Sequence, residues 1–287
     1  MRFYCDVHRK KDESGFRITY TTDGKSFKHI DDPAEIPAGP GDRVYVDTIP
    51  VMLTDSFIQL LRKGVEVYYL RRLRLVKQMR ERMGLPKSTK SDIKAMMTIE
   101  CKWYRRVDEN FLEMRRLIST YRSIERTKQQ LENQLKAASP VAQESLRRLV
   151  RQAQMEKGML AEVIVEEARR RYPYFDYIAE ELGISGEGHL MAREALAELL
   201  TYVDFRKPFA KVRAYLGLFR KSRKSKKNKK FSHVARKALN RLTMALINDK
   251  PTQRDEEATA FRIWLMFRFR QETHERSEGI PAPQRQG

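Results

Sequence analysis

The stretch Arg43–Leu70, "RVYVDTIPVMLTDSFIQLLRKGVEVYYL", decides the fold class. Val44-Tyr45-Val46 is a compact, β-prone apolar run that ends at Asp47. "TDSFIQLLRKG" reads as a helix, with Thr54 expected as its N-cap and Gly64 as its stop. "VEVYYL" is again a strand. Upstream lie a short β-prone segment, "RFYCDVHRK", and "GFRITYTTDGKSFKHI", two alternating runs around Asp23-Gly24 that predict a hairpin. "DDPAEIPAGPGD" joins them to Arg43 as a loop. Strands followed by a strand–helix–strand unit imply an α/β sheet of mixed strand direction. Downstream, "RLRLVKQMRERMG" and "STKSDIKAMMTIECKWYRRV" read as two basic helices, the second starting at Ser88 or Thr89. This sheet domain is expected to cover residues 1–107.

Residues 108–171 change character. Met114, Leu117, Tyr121, Ile124, Lys128, Leu131 and Leu135 alternate spacings of three and four, and only Lys128 is polar. That is the seam of a coiled coil. Ser139 and Pro140 then suit a helix start. Leu146, Leu149, Ala153, Leu160 and Val163 repeat a similar spacing, predicting a long antiparallel coiled-coil arm. Residues 172–270 read as an all-helical domain. In it, "LGISGEGHL" breaks two helices as a helix–hairpin–helix-like element would. Gly186 and Gly188 could bring backbone N–H groups to a nucleic-acid phosphate; a plain glycine turn between packed helices reads equally well. The tail 271–287 lacks apolar pattern and is expected to be disordered.

The 287-residue chain carries a net charge of +20, with a pI of about 10.0. Such a field concentrates polyanions and points to nucleic acid. Between Arg220 and Lys230, eight of eleven residues are Lys or Arg: Arg220, Lys221, Arg223, Lys224, Lys226, Lys227, Lys229 and Lys230. They read as phosphate contacts. No run of 18 apolar residues occurs, and "MRFYCDVHRK" holds no apolar signal segment, so no membrane role is expected. Cys5 and Cys101 are far apart, which suits a reducing compartment and argues against a zinc site.

Three acids stand out by position. Asp6 lies within the first strand, Asp47 ends a later one, and Asp92 opens a helix, with Glu100 expected two turns on. Carboxylates on neighbouring strand ends, joined by one from a helix, are how ribonuclease H-like folds hold Mg²⁺, a hard ion that takes oxygen ligands. Two such ions can clamp the attacking and leaving oxygens of a phosphodiester. Ordinary turn chemistry also places Asp at strand ends, and a neighbouring Arg could neutralise buried acids instead of a metal.

Several segments together resemble the insertion-sequence-110 family of transposases, which includes Piv-type DNA invertases. "FYCDVHRK" is similar to the family's first acidic strand and "VYVDTIP" to its second, with Asp47 where the family usually has Glu. Lys90-Ser91-Asp92 resembles the first half of its Lys-Thr-Asp-x-x-Asp-Ala motif, although Ala95 stands where the second Asp would fall. "LGISGEGHLMAREALAELL" resembles the helix–hairpin–helix-like segment, and "DFRKPFAKVRAYLGL" the Phe…Tyr-Leu-Gly-Leu run. The resemblance covers roughly residues 1–245.

The resemblance implies a ribonuclease H/RuvC-like domain, a coiled-coil connector and a helical serine transposase domain. Counted from Gly217, the family's nucleophile falls on Ser225, followed here by Lys226 in place of Gly. The implied chemistry is attack by the Ser225 hydroxyl on a DNA phosphodiester, with Asp6, Asp47 and Asp92 holding Mg²⁺. The implied partners are DNA, a structured guide RNA from the same element, and further copies of the chain in a homodimer or homotetramer. The implied location is the cytoplasm, on the nucleoid. The competing expectation is a nucleic-acid-binding scaffold that does not cut, either a decayed transposase or a protein like the archaeal Nop-type ribonucleoprotein components.

Overall fold

Six strands build one sheet: β1 (Arg2–Arg9), β2 (Phe16–Thr21), β3 (Lys28–Ile30), β4 (Arg43–Val46), β5 (Glu66–Leu70) and β6 (Tyr104–Arg106). The computed structural model describes residues 1–10, 12, 15–219 and 231–277. The strand order is β3-β2-β1-β4-β5-β6, with β1, β4 and β5 parallel and the outer pairs antiparallel. The chain divides into two compact units, Met1–Arg116 and Leu117–Gly287.

In the first unit the expected strand–helix–strand is present, with α1 (Thr54–Arg62) between β4 and β5. Thr54 is not the N-cap. A 3₁₀ turn, Val51–Leu53, precedes it, and the Thr54 hydroxyl donates back to the Val51 carbonyl. Gly64 does stop the helix. Its φ of +78° is left-handed, and its N–H and that of Val65 return to the Leu61 and Leu60 carbonyls. This satisfies the last turn.

Side chains alternate across the sheet. Phe3, Cys5 and Val7 are buried on one face of β1, while Tyr4, Asp6 and His8 point to the other. Register sets Tyr4, Tyr45 and Tyr68 side by side, and their rings stack at 5.0 Å steps. Two helices, α2 (Arg74–Arg82) and α3 (Thr89–Thr98), cover this tyrosine ladder with Val76, Ala95, Met96 and Ile99. Ser88 caps α3 by accepting the Ser91 N–H.

The second basic helix was expected to reach residue 107, but it stops at Thr98. A 3₁₀ turn at Cys101–Trp103 follows, then β6, whose Tyr104–Arg106 pair with β5. Tyr104 explains the change. Its ring sits edge-on to Tyr45, and its hydroxyl donates to the Met96 carbonyl. Burying that ring stabilises by about 2–3 kcal/mol, more than continued helix would return. Glu100 therefore lies outside the helix.

The boundary between units falls inside α4 (Glu109–Ala137). In the second unit the remainder of α4 and α5 (Pro140–Arg171) fold back as a helical hairpin. The Lys157 ammonium reaches Glu125 at 3.2 Å and covers the Tyr121 ring. Leu117, Ile124, Lys128, Leu131 and Leu135 are half-buried around buried Tyr121. On α5 Leu146, Ala153 and Leu160 turn inward as expected, but two of the five positions differ. Leu149 and Val163 are exposed, while Val150 and Ile164 turn inward. Counting apolar residues alone overlooked that Lys157 occupies the seam, held there by Glu125.

Among the described residues five further helices follow: α6 (Phe175–Glu181), α7 (Leu190–Tyr202), α8 (Phe209–Tyr215), α9 (His233–Ile247) and α10 (Gln253–Ser277). Helix α10 passes residue 270 and runs to Ser277, so the first part of the expected disordered tail is helical. Helix α7 is central and carries two carboxylates, Glu194 and Glu198, at 0% exposure. Arg241 of α9 bridges both, and Arg122 of α4 pairs with Glu198. Buried charges are tolerated only when paired in this way.

Candidate carboxylate site

Parallel pairing of β1 and β4 decides what Asp6 and Asp47 can do. Register runs Cys5 beside Val46, so the next residues on the two strands are the two acids. β4 ends at Val46, but its ladder continues through Asp47. The Asp47 N–H donates to the Cys5 carbonyl at 3.3 Å, and the Val7 N–H donates to Asp47 Oδ1 at 3.1 Å. A side-chain oxygen thus replaces a strand carbonyl and fixes the carboxylate at the strand end.

Burial pushes the Asp47 carboxyl up to about 7, and the neighbouring Asp6 charge adds to the rise; backbone N–H donors oppose it. Asp6 is raised as well, first by burial and then by the nearby Asp92 charge. The His8 imidazole and the Thr89 hydroxyl pull it back. His8 Nδ1 lies 3.2 Å from Asp6 Oδ2. The two strand acids therefore share a poorly hydrated corner and repel each other.

Asp92 comes from the first turn of α3, near enough to Asp6 to be felt as charge. Its own Oδ1, however, is taken by Arg80 of α2, and both groups are largely buried. The three acids expected together thus form a pair plus a third held by a guanidinium. Among the described residues, no three His, Cys, Asp or Glu side chains are arranged to hold a metal ion. The donor chemistry of Asp6 and Asp47 nonetheless fits a hard divalent cation such as Mg²⁺. Both offer carboxylate oxygens, and their mutual repulsion is relieved by positive charge. Ala95 is fully buried beneath Tyr45 and Met96, so no acid could sit at that position without disrupting the core.

Ser225 and the cations Arg220, Lys221, Arg223, Lys224, Lys226, Lys227, Lys229 and Lys230 lie outside the described residues. The chain on either side of them is firmly held. Helix α8 ends at Tyr215, Gly217 just beyond it takes a left-handed φ of +72°, and the Leu218 N–H returns to the Arg213 carbonyl. Phe231 packs so closely on Gly217 that a Cβ there would come within 2.5 Å of its ring. The Ser232 N–H donates to the Tyr215 carbonyl, and Gln253 donates to the Phe219 carbonyl. "YLGLF" is thus a fixed corner to which the chain returns at Phe231.

Gly186 caps a 3₁₀ turn, Glu187–His189, and neither it nor Gly188 has a left-handed φ. Nothing lies within 4 Å of a Cβ built at Gly188, so the turn faces open space. Gly183 is the residue there whose backbone requires glycine, with φ +75°.

The buried Glu194–Arg241–Glu198 cluster was not anticipated. "AREALAELL" reads as an ordinary amphipathic helix, and no signal in it marks the glutamates as inward. Among the described residues no helix is long and apolar enough to cross a membrane. No protein-family model matches the chain, and no curated protein matches it either.

Proposed function

We propose that the protein cuts and rejoins DNA strands as a transposase or recombinase, using a serine–phosphodiester intermediate. The observation that carries this reading is the pair Asp6 and Asp47, set side by side where β4 ends against the middle of the parallel strand β1, in a chain of net charge +20. A mixed sheet with acids on neighbouring parallel strands and a third on a flanking helix is close to the arrangement expected of a ribonuclease H/RuvC-like domain. The α4–α5 hairpin stands where a coiled-coil arm is expected, and the α6–α7 turn where a helix–hairpin–helix-like element is.

In this reading Asp6 and Asp47 hold Mg²⁺, which would stabilise charge developing on the phosphate. The chain's own residues set up that role. The Val7 N–H orients Asp47, while His8 and Thr89 orient Asp6. Asp92, paired with Arg80, would join them only on release from that guanidinium. Ser225, the proposed nucleophile, needs surrounding positive charge to approach a phosphodiester, and the eight cations from Arg220 to Lys230 supply it. A structured RNA from the same element would select the DNA, and a homodimer or homotetramer would assemble the site.

The Arg80–Asp92 ion pair, with Ala95 in place of a further acid, favours a second reading: a nucleic-acid scaffold that binds without cutting. The test is cleavage of an end-labelled DNA junction by the protein with RNA transcribed from its flanking sequence and Mg²⁺. Nicked product that is lost in Asp6→Asn and Asp47→Asn supports strand transfer. Intact DNA with retained, salt-sensitive binding supports the scaffold.

A further inference from the structure

The positive charge of the first unit is not spread evenly. Residues 71–106 hold twelve Lys or Arg against three acids, whereas the rest of residues 1–116 holds twelve against fourteen. The whole excess therefore sits on α2, α3 and the corner leading to β6. These two helices lie on the same side of the sheet, since both bury their apolar residues against the tyrosine ladder. Most of their exposed charged positions are basic, Glu81 of α2 being paired with Lys77. Arg71 just before α2 and Arg74 at its start are exposed, as are Lys87 just before α3 and Lys90 and Lys94 along it.

An aromatic platform lies at the edge of this surface. Trp103 is half-buried against the same core, with the Arg72 guanidinium 4.9 Å above its ring and Lys102 5.9 Å from it. A basic track that ends at an indole–guanidinium stack is the composition that single strands select. Phosphates follow the cations, and a base stacks on the flat group, which duplex DNA cannot offer without unstacking.

We propose that the outer face of α2 and α3, with the Trp103–Arg72 corner, binds single-stranded DNA. α3 carries Asp92, and its Thr89 touches Asp6, so a strand on this track runs beside the carboxylates. That placement assigns DNA rather than RNA as the occupant. The proposal rests on the reading above of those carboxylates as a DNA site, but not on the serine intermediate.

The experiment uses the full chain with Trp264→Phe, leaving Trp103 as the one tryptophan of the two. A 20-nucleotide DNA strand is titrated in EDTA, where no cleavage occurs, while Trp103 emission and the anisotropy of a labelled copy are followed. The expected result is quenching of Trp103 that saturates together with the anisotropy. Substituting Arg71, Arg74 and Lys94 together with Gln should flatten the plot of log affinity against log salt by about 2 units, at about 0.7 per phosphate contact. Thermal melting checks that this variant folds. Anisotropy that rises without quenching, or an unchanged salt slope in the folded variant, overturns the proposal. So does an RNA strand of the same sequence that binds more tightly than DNA. Because EDTA removes the cleavage reaction, failure here is distinct from failure of strand transfer.

Discussion

Replacing Asp47 by Asn should make the protein more stable at neutral pH, although it removes a residue of the proposed site. The folded state holds the Asp47 proton to about pH 7, while the unfolded chain releases it near 3.8. Between those values the folded state binds a proton that the unfolded state does not, so stability falls as pH rises. About three pKa units at about 1.4 kcal/mol each set an upper value of about 4 kcal/mol. The carboxylate keeps some contact with water, and solvent screening lowers the expected loss to about 2–3 kcal/mol. The Asn side-chain oxygen still accepts the Val7 N–H, so the ladder is preserved. The assay is urea unfolding at pH 5 and pH 8, read through Trp103 in the Trp264→Phe background. Part of the loss, between 3.8 and 5, is already complete at the lower pH, so Asp47→Asn should gain about 1–2 kcal/mol relative to the parent on going from pH 5 to pH 8. In 10 mM Mg²⁺ at pH 8 the parent should recover stability and the variant should not. An equal pH dependence in the two proteins would refute the reasoning, because burying the Asp47 charge beside Asp6 would then cost nothing.

Arg80→Ala should free Asp92 and raise the affinity for Mg²⁺, measured as a larger thermal shift at sub-saturating ion; an unchanged shift would mean that Arg80 does not compete. Arg241→Met should destabilise the second unit by about 3–5 kcal/mol, since it strands buried Glu194 and leaves Glu198 with Arg122 alone; calorimetry checks this, and a loss under 1 kcal/mol would contradict it. Gly217→Ala and Gly183→Ala both place a side chain at left-handed φ, costing about 1–2 kcal/mol. Only Gly217→Ala also meets an aromatic ring, Phe231, so it should be the more damaging of the two by chemical denaturation.

The sheet was legible because β4, α1 and β5 each carry their own local signal: β-branched and aromatic runs, and a glycine stop. The positions of Asp6, Asp47 and Asp92 followed from the same pattern. β6 was hidden because its three residues continue a helix-compatible run, and only the Tyr104 contacts with Tyr45 and Met96 decide its state. The inward face of α5 was misread because a lysine, Lys157, sits in the seam. The capture of Asp92 by Arg80 depends on how α2 and α3 pack, which no spacing rule encodes. The buried glutamates of α7 are invisible for the same reason, since their partners lie 43 to 76 residues away in sequence: Arg241 beyond them and Arg122 before them.

The most direct test of the central claim is whether DNA becomes covalently joined to the protein. The protein, its RNA, a labelled DNA junction and Mg²⁺ are mixed, quenched in detergent and resolved on a denaturing gel. The account predicts a protein-sized labelled band that is mapped by peptide mass spectrometry to Ser225 and is absent in Ser225→Ala. A band that persists in Ser225→Ala, or cleaved DNA with no protein attached, would contradict it.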